Sequence, residues 1–226
     1  MSNVVLSLLY AVALYAAFIA GFTYGGRPAG DPRRALRPRP WLTLAVLAIT
    51  GLGNLAQFVH HGTLALLERD ASALTAGQWW RLVTPLLVQD GGVAGAIFNL
   101  LALAFVGTAA ERVFAGWQWA LLYLGGGLAG EVVAYTLLPG QGTAGNSVAN
   151  FGLAAGVLVA ALASRARPAA VAGLVGILAG LVLLVAGNLH GAAFAVGGLL
   201  GVALVGTRRA PAALGGGARK GRPARW

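Results

Sequence analysis

Long apolar runs separated by short polar or basic segments make up most of this sequence. An α-helix needs about 20 residues to cross the ~30 Å hydrocarbon core of a bilayer. Runs of about this length lie at residues 3–24, 41–60, 92–110, 117–138, 147–164, 169–187 and 190–207. This pattern predicts an all-α polytopic membrane protein with seven spans in the lipid bilayer.

The basic residues between these runs predict how the helices are oriented. Of the sixteen lysines and arginines, those on one side of the predicted topology lie in 26–40, at Arg112, in 165–168 and in 208–226. Only Arg69 and Arg81 lie on the other side, in the long 61–91 loop. Short loops rich in Lys and Arg stay in the cytoplasm. We therefore expect a multi-pass protein of the cell membrane with its N-terminus outside and its C-terminus in the cytoplasm.

The proline- and arginine-rich segment after the first run divides the chain. The charge order around the first run is the reverse of that in a cleavable signal peptide, so we expect it to be retained as a helix. The predicted organisation is an extra N-terminal transmembrane helix at 1–25, a basic cytoplasmic linker at 26–40, a six-helix unit at 41–207 and a basic cytoplasmic tail at 208–226.

Composition narrows the possible functions. Only 10% of the residues are charged, and the 35 glycines favour closely packed transmembrane helices. The net charge of +10 is spread between apolar runs and is not gathered in one patch with aromatic residues, which argues against a nucleic-acid partner. The chain has no cysteine and only three histidines, so we expect neither a thiolate metal site nor a histidine-rich one beside a catalytic histidine.

Polar residues at membrane depth are candidates for function because they are costly to bury there. They are Asn99, Glu131, Asn146, Ser147, Asn150, Asn188 and His190. Ser147 lies 18 residues before Arg165, and His190 lies 18 residues before Arg208. Both residues therefore lie ~27 Å from the inner surface at 1.5 Å per residue. Asn99, on another span of the same direction, lies at about 20 Å by the same measure.

Serine and histidine at one depth can act as nucleophile and general base. An amide donor such as Asn99 can stabilise the oxyanion that forms when a carbonyl is attacked. Serine and asparagine also form simple hydrogen bonds between membrane helices. The spacing by itself leaves both interpretations open, and for Glu131 it leaves open a helix-pairing, a protonated or a catalytic carboxyl group.

Five short motifs over residues 41–207 resemble, in order, those of the rhomboid intramembrane serine proteases. They are the Trp-Arg segment at 77–85 with Trp80 and Arg81, Asn99 within 97–103, the Glu-Arg turn at 110–114, Gly145-Asn146-Ser147 followed by Phe151, and His190 followed by Ala193 and Gly197. The resemblance implies a six-helix rhomboid-like bundle, to which the first run adds one helix.

The resemblance also implies an activity, namely serine endopeptidase cleavage in or beside the transmembrane segments of client proteins. Ser147 is then the nucleophile, His190 the general base and Asn99 the oxyanion donor. The implied supporting residues are Gly145, Phe151, Ala193, Gly197, Trp80 and Arg81. No metal or organic cofactor is implied, and the expected partners are transmembrane client proteins.

Two positions depart from the family pattern. Gly95 stands where many rhomboids carry a histidine that assists the oxyanion, and Val148 stands where the nucleophile is usually followed by glycine. These departures favour, as an alternative, a catalytically silent rhomboid-like protein that binds transmembrane clients. A small-solute transporter is a further alternative, but the internal repeat and paired interrupted helices of that class are missing. Because the candidate residues all lie in the six-helix unit, the sequence predicts that deleting residues 1–25 leaves the chemistry intact.

Overall fold

The computed structural model describes residues 2–24, 40–60, 62–137 and 144–209. Its helices are α1 Asn3–Thr23, α2 Trp41–Val59, α3 Gly62–Leu67, α4 Ala71–Thr75, α5 Gly92–Val113, α6 Gly116–Leu137, α7 Ser147–Leu162, α8 Arg167–Val185 and α9 Leu189–Arg209, with two 3-10 turns at Trp79–Leu82 and Thr84–Leu87. The all-α prediction is confirmed, because these elements are all helical across the described ranges. Most of the predicted linker and tail lies outside the described residues.

Each of the seven predicted spans corresponds to a helix. Six of the helices are long and apolar enough to cross a membrane, and α7 is the shorter seventh. The chain is therefore a multi-pass membrane protein with a polytopic helical bundle. With 16 residues, α7 extends only about 24 Å, which is less than the thickness of the hydrocarbon core.

The short helix α7 lies at the centre of the bundle. Thirteen of its sixteen residues are buried, and it contacts α9, α6, α8, α1 and α5. A helix that is apolar all round is a buried helix. Because α7 is surrounded by protein, its N-terminus can begin inside the membrane without exposing backbone groups to lipid.

Glycines bring α6 and α9 close to α7. The positions are Gly126 on α6, Gly152 on α7 and Gly197 on α9, and an added Cβ at Gly126 would lie 2.5 Å from the Gly152 Cα. Ala193 on α9 is fully buried beside this crossing. Small side chains let membrane helices approach to backbone contact. This close packing fixes the start of α9 relative to the start of α7.

The N-terminal helix α1 is an integral part of the bundle. It packs most extensively against α8 and also contacts α7 and α5. Its contact face is made of small residues, and Ala13, Ala17 and Ala20 are fully buried. The lipid-facing side carries large apolar residues such as Leu8 and Tyr15. The first helix therefore packs as closely as a helix of the predicted six-helix unit.

The Glu-Arg turn after α5 joins three helices at one end of the bundle. The Glu111 carboxylate accepts hydrogen bonds from the backbone N–H and the hydroxyl of Thr43 in the first turn of α2. The Arg112 guanidinium lies 4.4 Å from the centroid of the Phe22 ring near the end of α1. The ends of α1 and α5 and the start of α2 therefore lie at the same end of the molecule.

The segment between α2 and α5 folds over the opposite end. Arg81 is buried and donates hydrogen bonds to the carbonyl oxygens of Ala65 and Glu68, both at 2.9 Å. Arg69 forms an ion pair of 3.3 Å with Glu131 on α6, and their side chains are only 2% and 4% exposed. This buried pair anchors the α2–α5 segment to the helical bundle.

Candidate active site

Ser147 and His190 lie within hydrogen-bonding distance. Ser147 is the first residue of α7 and His190 the second of α9, and the distance between Ser147 Oγ and His190 Nε2 is 2.9 Å. The His190 ring packs edge-on against Phe151, with ring centroids 5.1 Å apart. Both Ser147 and His190 are half-buried. A serine hydroxyl paired with an imidazole nitrogen at this distance has the geometry of a nucleophile with its general base.

The backbone that leads into Ser147 is held by the segment between α2 and α5. The Gly145 N–H donates to the Pro85 carbonyl oxygen, while Ala144 and Asp90 exchange hydrogen bonds of 3.1 and 3.2 Å. Gly145 has φ +151°, a conformation that side-chain-bearing residues rarely adopt. Non-helical backbone at membrane depth must find its partners within the protein. These contacts satisfy the serine loop and fix the start of α7.

Asn99 lies on α5 facing this loop. Its side-chain Nδ2 donates to Gln89 Oε1 at 2.6 Å, and its backbone oxygen accepts from Asn150 Nδ2 at 3.1 Å. An amide NH₂ group has two hydrogens, so one of them is left for an oxyanion. An added Cβ at Gly145 would lie 3.4 Å from Asn99 Nδ2. The Asn99 amide therefore lies beside the serine loop.

Gln89 is a site residue that the sequence analysis missed. Besides binding Asn99, it exchanges two backbone hydrogen bonds of 2.7 and 2.8 Å with the side chain of Gln57 on α2. Its side chain fills the space beside Gly95, where an added Cβ would lie 2.9 Å from Gln89 Nε2. A histidine at position 95 requires Gln89 to move. Nothing in the local sequence pattern signalled this contact.

Val148 is accommodated by a glycine on the neighbouring helix. Its side chain is buried against Gly130 of α6, where an added Cβ would lie 2.7 Å from Val148 Cβ. The β-branched residue after Ser147 therefore packs against α6, and it also lines the cavity that contains Ser147.

The supporting residues named in the sequence analysis fall into two groups. Gly145 and Phe151 line the cavity with Ser147, and Ala193 and Gly197 belong to the helix packing that positions His190. Trp80 and Arg81 are not among the residues that line the cavity. Arg81 forms hydrogen bonds within the segment between α2 and α5, and Trp80 is exposed.

Tyr10 of α1 is a second missed residue. Its ring centroid lies 4.5 Å from that of His190 and 5.4 Å from that of Phe151. It also lines the cavity that contains Ser147 and His190. In the sequence, Tyr10 is one aromatic residue in an apolar run. Only the packing of α1 against the bundle shows that it contacts the candidate base.

A cavity of about 280 Å³ connects these groups. Its lining includes Tyr10, Gln89, Asp90, Asn99, Glu131, Ser147 and His190. A second groove of about 330 Å³ lies between α1 and α5, is lined mainly by apolar and aromatic side chains, and shares Leu14 and Phe98 with the first. The site is therefore a polar cavity next to an apolar groove.

The comparisons with known proteins identify the family of this arrangement. The family model described as "Rhomboid domain" matches residues 76–206, which is more than half of the chain. The chain belongs to the rhomboid family. The resemblance stated from the motifs is thus confirmed, and the matched segment of this rhomboid contains Asn99, Ser147 and His190.

Two relatives from Bacillus subtilis (strain 168) share parts of this rhomboid sequence. The protein named "Rhomboid protease GluP" is 37% identical over 102 residues, which cover 45% of this chain and 20% of that protein. The protein named "Putative rhomboid protease YdcA" is 35% identical over 63 residues, which cover 28% of this chain and 31% of that protein. The matched segments thus span less than a third of either relative.

The contacts of α1 predict a different result for removal of the first helix than the sequence alone does. We expect deletion of residues 1–25 to lower the thermal unfolding midpoint in detergent and to slow labelling of Ser147 by a fluorophosphonate. The deletion exposes the faces of α7 and α8 and removes Tyr10 from the His190 ring. As a control, Val4→Ala, an exposed position on α1, should change neither quantity. Full labelling and unchanged stability of the deleted protein would contradict this prediction.

Proposed function

We propose that this rhomboid is an intramembrane serine endopeptidase that cleaves peptide bonds in or beside the transmembrane segments of client proteins. The observation that carries the proposal is the 2.9 Å distance between Ser147 Oγ and His190 Nε2. Membership of the rhomboid family and the protease names of the two relatives support it further.

In the proposed mechanism, Ser147 Oγ attacks the scissile carbonyl carbon while His190 Nε2 accepts its proton. The free hydrogen of the Asn99 amide and the N–H groups of the first turn of α7 face the resulting oxyanion, since the first N–H groups of a helix have no partner within it. His190 then donates the proton to the leaving amine. Water from the cavity hydrolyses the acyl-enzyme and regenerates the Ser147 hydroxyl group.

The apolar groove between α1 and α5 supports a lateral approach of the client. Its lining suits a transmembrane segment, and the residues that it shares with the polar cavity lead from the lipid side toward Ser147. The client then exchanges lipid for protein contacts along the groove and presents an unwound peptide to the polar cavity.

The experiment that tests this function is reaction of the purified protein with a fluorophosphonate probe, together with cleavage of a panel of transmembrane clients in detergent. Labelling at Ser147 and appearance of client fragments support the peptidase. A folded protein that binds clients but shows neither labelling nor cleavage contradicts it and favours the silent binder.

We also propose that the 61–91 segment faces the outside and the basic segments face the cytoplasm, as the distribution of lysine and arginine predicts. Single cysteines at Ala35, Ala76 and Ala212 in this cysteine-free chain provide the measurement. We expect an impermeant thiol reagent on intact cells to label position 76, an exposed residue, and to label positions 35 and 212 only after the cells are opened. Preferential labelling of positions 35 and 212 on intact cells contradicts the orientation.

A further inference from the structure

The turn between α8 and α9 places one more polar side chain against His190. α8 ends at Val185, and Gly187 follows with φ +67°. The Asn188 N–H reaches back to the Leu183 carbonyl oxygen, and the Gly187 N–H reaches back to the Leu184 carbonyl oxygen. This is the hydrogen-bond pattern of a Schellman motif with glycine in the left-handed position. It fixes Asn188 directly before the first residue of α9.

Asn188 contacts His190 twice through the same atom. Asn188 Oδ1 lies 2.9 Å from the backbone nitrogen of His190 and 2.8 Å from the ring nitrogen Nδ1. A backbone N–H can only donate, so the Asn188 atom that faces it must be the amide oxygen. An amide oxygen can only accept, so Nδ1 must carry a hydrogen. The neutral ring then has its lone pair on Nε2, the nitrogen that faces Ser147 Oγ.

Helix capping accounts for only one of these two contacts. Asparagine at the N-cap commonly accepts from a backbone N–H of the first turn, and Ser, Thr or Asp serve equally well there. The bond to Nδ1 has no part in capping the helix. The ring is supported from a second side by α1, because the Tyr10 ring packs on the His190 ring with their centroids 4.5 Å apart.

We propose that Asn188 is a positioning residue that completes a Ser147–His190–Asn188 arrangement. It holds the imidazole in the tautomer whose Nε2 accepts the serine proton, and it fixes the angle of the ring. When the ring becomes an imidazolium, both nitrogens donate, and Asn188 Oδ1 remains the acceptor for Nδ1. This inference rests on the proposed peptidase function for its effect on rate, but its effect on the ring does not.

Substitutions at Asn188 separate positioning from capping. Asn188→Asp keeps both acceptor contacts, whereas Asn188→Ser and Asn188→Thr keep a capping oxygen that is one bond shorter and does not reach the ring. In the full-length protein, we expect Asn188→Asp to be labelled by fluorophosphonate within about threefold of the wild-type rate. We expect the Ser and Thr variants to lose about tenfold or more, because a misoriented base forfeits part of the 10²–10⁴-fold contribution of general-base catalysis. The unfolding midpoints of the three variants should be similar.

Nitrogen-15 NMR of labelled histidine gives a readout that does not need activity. The chain has three histidines, and Asn188 contacts only His190 among the described ones, so one ring should respond. We expect the wild-type His190 ring to be protonated at Nδ1, and the Ser and Thr variants to lose this single tautomer. A wild-type ring protonated at Nε2, or Ser and Thr variants with the wild-type tautomer and labelling rate, overturns the proposal. If the wild type is not labelled but the tautomer depends on Asn188, the peptidase function fails and the positioning role stands.

Discussion

Replacing Ser147 or His190 by alanine is expected to reduce fluorophosphonate labelling and client cleavage below detection. The two side chains form one hydrogen-bonded unit with Ser147 Oγ and His190 Nε2 2.9 Å apart. Residues that act as a unit are not additive, and loss of either member costs on the order of 10⁶-fold in rate. The double variant should therefore be no less active than either single variant. Labelling rates and client fragments measured at equal protein concentration test this expectation.

The chain provides matched controls for both substitutions. Ser164 lies just after the other end of α7 and does not line the cavity, and His60 is exposed at the end of α2. Ser164→Ala and His60→Ala should label at the wild-type rate. Labelling that persists in Ser147→Ala shows that the probe reacts elsewhere. A His190→Ala variant that remains fully active removes the general base from the mechanism.

Removal of the Glu131 carboxylate is expected to lower the free energy of unfolding more than any other substitution proposed for this protein. The ion pair between Arg69 and Glu131 is almost completely buried, and Glu131→Ala removes the carboxylate that pairs with the Arg69 guanidinium. Breaking one side of a buried pair typically costs about 3–5 kcal/mol. We expect a clear drop of the thermal unfolding midpoint in detergent and faster proteolysis of the 62–91 segment. Loss of the anchor should also slow labelling of Ser147, because that segment holds the serine loop through Pro85 and Asp90.

A double substitution tests whether the effect comes from the loss of this buried ion pair. Arg69→Met with Glu131→Leu removes both charges at similar volume, and such replacements are often nearly neutral. We expect the double variant to be more stable than Glu131→Ala. Glu68→Ala, next to Arg69 in the same segment, should have little effect and serves as the control. A double variant that is less stable than the single one contradicts an electrostatic origin.

The arrangement of Arg69 and Glu131 also bears on the alternatives left open for Glu131. Its carboxylate lines the cavity, but one oxygen is paired with Arg69 at 3.3 Å. A carboxylate that anchors a buried guanidinium has a structural role in the unliganded protein. The sequence predicted helix pairing as one alternative for Glu131. The partner of Glu131 is Arg69, which lies in the segment between α2 and α5, 62 residues earlier in the chain.

The sequence by itself determined the helices and the main pair of the candidate site. Each span is local, since about 20 apolar residues in succession must form a helix in lipid to satisfy their backbone. The common depth of Ser147 and His190 follows from helical rise and their equal distances to the next arginine. The glycine-rich packing of α7 against α9 then brings these two residues together, in accord with the rhomboid motifs.

Tertiary structure alone decided which groups surround that pair. Tyr10 and Gln89 have no distinguishing pattern in the sequence. Asn188 is a candidate by its depth, but a lone polar residue does not specify its partner. Gln89 reaches Asn99 only because Gln57 of α2 holds its backbone, and Tyr10 reaches His190 only because α1 packs against α8 and α7. Hydropathy fixes where helices occur, whereas the contacts between them depend on side-chain packing across distant parts of the chain. The sequence therefore predicts the first helix as an addition to a six-helix unit. In the folded protein, this helix lines the cavity through Tyr10.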